Sequence, residues 1–170
     1  MQKIIILFTE DLYNELEYWY PLIRMKEAGA QVLTAGPQAK AQYKSKIGFP
    51  CISDIAFRDL DPDSSDALII PGGYAPDRMR RSAEALEFVR AMDKAGKCVA
   101  FICHAGWVPI SAGILSGRKC TSFSAIKDDM VNAGAAWSDA PVVVDRNLVS
   151  SRTPDDLPEF CKAILSLMGL

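Results

Sequence analysis

Cys103 and His104 carry the clearest chemistry in this chain: a thiol and an imidazole side by side can supply a nucleophile and a base for its proton. His104 is also the only histidine. The run Val99-Ala100-Phe101-Ile102 before the pair reads as a buried strand, and the small residues Ala105 and Gly106 lead into an apolar helix. A side chain at such a turn is lifted out of the sheet, where the amides that open the helix point at it and stabilise a thiolate. A free cysteine titrates at roughly 8.5, so this help matters at neutral pH. The other reading of Cys103 is a small buried hydrophobe, which is the reading given to Cys51, Cys98, Cys120 and Cys161. A second strand end, Pro71-Gly72-Gly73, could bring backbone amides to an oxyanion at the same place. Gly72, Gly73 and Ala105 are therefore the candidate oxyanion and substrate-binding positions.

Positioning these residues requires strands that end together. Lys3–Phe8 has no polar face and reads as a buried parallel strand. Leu16, Trp19 and Ile23 recur at helical spacing up to Gly29, and Gln31–Ala35 supplies the next strand. The pattern repeats with a strand at Ala67–Ile70, a helix over Ala83–Ala95 closed by Gly96, and the strand Cys98–Ile102. The helix after Cys103 runs towards Leu115. Beyond it, Ile126–Asn132 predicts a helix, Val142–Ser150 a hairpin turning at Asp145-Arg146-Asn147, and Asp155 onward a closing helix. Alternating strands and helices predict an α/β three-layer sandwich with a mostly parallel sheet, its site at the carboxyl ends of the strands. No linker or repeat divides the chain, so residues 1–170 read as one domain.

Composition narrows the function classes. With 49% hydrophobic and 24% charged residues the chain reads as globular. A net charge of −2 offers no basic surface for nucleic acid or an anionic membrane. Five cysteines with no C-x-x-C pair, and no signal sequence ahead of them, predict reduced thiols in the cytoplasm. One histidine and scattered thiols give no metal-ligand spacing, and no cofactor is expected.

The segment Ala100-Phe101-Ile102-Cys103-His104-Ala105-Gly106, with Ile110-Ser111-Ala112-Gly113 behind it, resembles the nucleophile elbow of the ThiJ/PfpI superfamily and most of all the PfpI-type intracellular proteases. Pro71-Gly72-Gly73-Tyr74-Ala75-Pro76, Ile126-Lys127-Asp128-Asp129-Met130 and Ser150-Ser151-Arg152-Thr153-Pro154 extend the likeness over nearly the whole chain. The resemblance implies a flavodoxin-like sandwich and a homodimer or homohexamer whose interface lies close to the site. By the same resemblance Cys103 is the nucleophile, His104 its neighbour, and Glu17 the acid that reaches the thiol from the first helix. Pro21 lacks the amide that would bond the Glu17 carbonyl, which predicts a local distortion there. Otherwise Glu17 reads as one more solvated carboxylate.

Two positions depart from the family pattern. Asp77 stands where PfpI-type proteases usually place a glutamate that orients the histidine across a subunit interface; its other reading is a helix cap. Ala105-Gly106 replaces the usual Gly-Pro, and Trp107 after it reads either as an aromatic pocket wall or as core.

The resemblance implies a cysteine hydrolase acting on peptides, on glycated side chains or on a small carbonyl such as methylglyoxal. The alternative is a stress protein of redox-sensing or chaperone type, in which Cys103 is oxidised to a sulfinate without turnover. A hydratase or lyase using the same thiol is a third reading.

Overall fold

The five apolar residues Ile4–Phe8 form β1 at the centre of the molecule, with sheet neighbours on both sides. A computed structural model describes residues 2–170. After β1 come α1 (Glu15–Glu27), β2 (Gln31–Gly36), β3 (Gln42–Lys44), β4 (Pro50–Ile52) and β5 (Ile55–Ala56). The middle of the chain supplies β6 (Ala67–Ile70), α2 (Ala75–Met79), α3 (Ala83–Lys94), β7 (Cys98–Ile102) and α4 (Trp107–Ala112). Then follow β8 (Lys119–Cys120), α5 (Lys127–Asn132), β9 (Ala136–Trp137), β10 (Val142–Asp145), β11 (Leu148–Ser151) and α6 (Leu157–Met168).

Seven strands make the main sheet in the order β10-β11-β7-β6-β1-β2-β5, parallel throughout except for the antiparallel edge strand β10. Its five long parallel strands, numbered among themselves, run 2-1-3-4-5, the flavodoxin-like order. Strands β6 and β7 are buried at every position because α1 and α6 cover one face of the sheet while α3 and α4 pack on the other. The predicted three-layer sandwich is the observed one. The order reverses beside β1, and Glu17, Gly72-Gly73 and Cys103 all follow the carboxyl ends of β1, β6 and β7 around that switch point.

Three features differ from the expectation. Helix α1 is apolar on two sides, and the side that packs inward carries Tyr18, Pro21, Leu22 and Met25 together with Glu17. Leu16 and Ile23, two of the residues whose spacing predicted the helix, lie more than half exposed. The helix also runs through Pro21 without interruption, because its ring sits one turn in and removes only the bond to the Glu17 carbonyl. Residues 37–66, for which no element was predicted, contain the β3–β4 hairpin and the edge strand β5.

Candidate active site

The loop between β1 and α1 is the frame of the site. Asn14 caps α1 by accepting hydrogen bonds from the amides of Leu16 and Glu17, which fixes Glu17 in the first turn. The Asn14 amide donates to the Gly72 carbonyl at 3.1 Å and the Tyr74 amide to the Leu12 carbonyl at 2.9 Å, tying this loop to the strand end after β6. Gly73 makes the tie possible. Its φ is +83°, and a Cβ there would stand 2.6 Å from the Asn14 nitrogen and the Leu12 oxygen.

Cys103 follows β7 in a left-handed conformation, φ +61°, which costs a non-glycine residue on the order of 1–2 kcal/mol. The strained turn directs the thiol to the cleft while leaving it only 9% exposed. The His104 ring turns back towards it, with Nδ1 3.3 Å from Sγ, and is held stacked on Phe123 at 5.0 Å between centroids. Glu17 comes from the other side. Its Oε2 accepts the Gly72 amide at 2.7 Å, and its Oε1 is buried with no oxygen or nitrogen partner, facing the thiol. Gly72 sits between them so tightly that a Cβ would lie 2.6 Å from Glu17 Oε2 and 2.8 Å from the Cys103 Cβ.

Burial raises the Glu17 carboxyl to about 7, against the lowering pull of the Gly72 amide. Near neutrality it therefore holds a proton that Oε1 can donate to sulfur. Burial, followed by the negative charge of Glu17, pushes the Cys103 thiol up to about 12, opposed by the amides of His104 and Gly73. The amides of the turn pull this thiol down, in the expected direction, but desolvation outweighs them. The like-charge contribution vanishes while Glu17 is protonated, so the thiolate forms more readily beside the carboxylic acid than beside the carboxylate. Burial, then the charge of Lys46, lowers the His104 imidazole and leaves it neutral, able to accept a proton.

The cleft has a volume of about 220 Å³. Glu17, Gly73, Cys103 and His104 line it, as do Lys46, Tyr74 and Thr153, which the sequence reading did not single out as site residues. Other candidates lie elsewhere or act differently. The Gly72 amide is taken by Glu17, whereas the Gly73 and His104 amides are directed at the Cys103 sulfur. Ala105 is wholly buried beneath the turn. Trp107 packs edge-on to His104 at 5.2 Å from outside the cleft, its indole donating to Asp129 at 2.9 Å. The Asp77 carboxylate pairs with Arg81 at 3.1 Å and makes no hydrogen bond to His104 within the chain; nor does it cap α2, whose cap position is Tyr74. Among the described residues no group of three or more His, Cys, Asp or Glu is placed to hold a metal, and no helix is long and apolar enough to cross a membrane.

Comparison with known proteins places this geometry among relatives. The model of the DJ-1/PfpI family matches residues 2–167. A protein named deglycase from Pyrococcus abyssi is 43% identical over 164 residues, 96% of this chain and 98% of its own length. The protein/nucleic acid deglycase 2 of Escherichia coli is 39% identical over 170 residues, 99% of this chain and 98% of its own. Among solved structures, a two-domain protein from Anabaena variabilis with DJ-1/ThiJ/PfpI-like and ferritin-like domains superposes with a TM-score of 0.97 at 38% identity. That match covers 99% of this chain and 48% of the two-domain one, so the chain spans about half of that protein.

Proposed function

The chain belongs to the DJ-1/PfpI family, and from that premise we propose that it is a cysteine-dependent hydrolase of the deglycase type, releasing amines from small carbonyl adducts. The observation that carries this reading is the meeting of the Glu17 carboxyl, the Cys103 thiol, the His104 imidazole and the Gly73 amide in one cleft. The hemiaminal adduct loses its amine, the hydroxyl proton passing to nitrogen, and the Cys103 thiolate, supported by the Glu17 proton, adds to the aldehyde carbon left behind. The Gly73 and His104 amides receive the oxyanion of this hemithioacetal, and neutral His104 moves the proton of that carbon to the neighbouring keto carbon through an enediolate. The shift oxidises the first carbon to a thioester as it reduces the second to an alcohol, and water hydrolyses the thioester to lactate and the free thiol. A cleft of about 220 Å³ is below the common range of roughly 300–1,000 Å³ for ligand sites, which favours a compact adduct over an extended peptide.

Turnover separates this reading from its rivals. Amine and lactate release from a methylglyoxal-glycated peptide, run beside a fluorogenic peptide, should proceed with wild type and fail with Cys103→Ser. Cleavage of the peptide alone makes the protein a protease. Turnover of neither, with clean addition of oxygen at Cys103 under mild peroxide, makes it a redox protein.

The same reading includes self-association. Leu16 and Ile23 on α1 and Ile47 and Phe49 on the hairpin loop are each more than half exposed and lie around one apolar depression beside Trp19. We propose a second copy of the chain as its cover. Ile23→Glu with Ile47→Glu should yield a monomer by light scattering, and an unchanged mass would move the interface elsewhere.

A further inference from the structure

Lys46 occupies the loop between β3 and β4, outside every motif that pointed to the site, yet it lines the cleft with Cys103 and His104. Its backbone is firmly held. The Lys46 amide donates to the Tyr13 carbonyl at 2.9 Å, the Tyr13 hydroxyl donates to the Phe49 carbonyl at 2.7 Å, and the Ser45 amide donates to that same carbonyl at 2.8 Å. Its ammonium lies over the Tyr74 ring, 5.2 Å from the centroid, and Tyr74 also lines the cleft. Among the described residues, no carboxylate oxygen comes within 4.0 Å of this ammonium.

The charge balance of the lining gives this placement a purpose. Glu17 holds a proton near neutrality and His104 is neutral, so Lys46 is the one fixed charge that faces the cleft. A cation held at the mouth of a small site, on an aromatic ring and without a partner, is placed for an anion brought by the ligand. We infer that Lys46 is a specificity-determining residue that selects substrates carrying a carboxylate or similar anionic group close to the reacting carbon. The inference rests on the reading of this cleft as a thiol active site. It adds the substrate class: adducts at a free α-amino acid, or at another anion-bearing amine or thiol, ahead of neutral ones.

Iodoacetate and iodoacetamide test this without turnover, because they bring the same electrophilic carbon to Cys103 with and without a carboxylate. Rate constants for alkylation of Cys103 are read by peptide mass, with Cys103→Ser as the blank. The iodoacetate-to-iodoacetamide ratio should fall about fivefold in Lys46→Met, stay near wild type in Lys46→Arg, and shrink in wild type between about 20 mM and about 500 mM salt. Equal ratios in wild type and Lys46→Met, both folded by circular dichroism, would overturn the proposal. Turnover is then compared on methylglyoxal hemithioacetals of 3-mercaptopropanoate and 3-mercaptopropanamide. If neither is hydrolysed while the alkylation ratio shifts, the hydrolase reading falls and the anion site stands. If both are hydrolysed equally and the ratio does not shift, the hydrolase reading stands and Lys46 has no selective role.

Discussion

Two buried ionisable groups sit at opposite ends of β7, and the protein treats them in opposite ways. At the amino end, Arg118 is 5% exposed and makes four hydrogen bonds, to Asp93 Oδ1, Asp145 Oδ2, the Asp145 carbonyl and Asn147 Oδ1. Asn147 in turn donates to Asp93 and to the Lys97 carbonyl, which closes the network around the start of the strand. At the carboxyl end, Glu17 is fully buried with a single hydrogen bond and one orphaned oxygen, beside a thiol on a strained backbone. A satisfied charge holds the fold, whereas an unsatisfied one keeps a proton available for chemistry.

The sharpest way to break this comparison is to remove one group from each end and look for opposite losses. Cys103→Ser should lower turnover by about 10³-fold or more and leave the melting temperature nearly unchanged, since a hydroxyl replaces a thiol of similar size. Arg118→Met should do the reverse. It removes the buried cation shared by Asp93 and Asp145, leaving Asp145 only the exposed Arg146, and should cost about 3 kcal/mol in urea unfolding, with turnover per folded molecule retained. A loss of activity in Arg118→Met at full folding would show that the two ends are coupled.

Glu17 makes the contrast a matter of pH. Its folded value of about 7 lies above the ordinary 4.5, so between these pH values the folded state binds the proton that the unfolded chain has lost. Stability from this group is therefore greatest below about pH 4.5, falls as pH rises, and reaches its full penalty above about pH 7. That penalty is on the order of 3 kcal/mol. Glu17→Gln should flatten this slope and be more stable than wild type at pH 8, while turning over at least tenfold more slowly. Wild type and variant with the same pH-stability curve would mean that Glu17 titrates normally.

How much of this was legible in the sequence depends on how local the cause is. The runs at Ile4–Phe8, Ala67–Ile70 and Cys98–Ile102 announce buried strands because nothing polar interrupts them, and Cys103 stands out by ending one of them. The site's switch-point location follows from strand order. Less local causes stayed hidden. Helix α1 is apolar on two sides, so its periodicity could not tell the core face, with Tyr18 and Met25, from the exposed one, with Leu16 and Ile23. The three-residue strands β3 and β4 are too short to show a period, and Lys46 went unseen with them. That Glu17 consumes the Gly72 amide, and that burial outweighs the helix-opening amides at Cys103, depends on packing between segments far apart in the chain.

The central claim is that burial keeps a proton on Glu17 beside the Cys103 thiol up to about pH 7, and the pH dependence of Cys103 alkylation by iodoacetamide in wild type and Glu17→Gln tests it most directly. Below about pH 7 neither protein carries a charge at position 17, so the ratio of the Glu17→Gln rate to the wild-type rate should stay constant. Above it the Glu17 carboxylate opposes the thiolate in wild type alone, and the ratio should rise. A ratio that stays flat from about pH 5 to about pH 9, or that already turns near pH 4.5, would contradict the account.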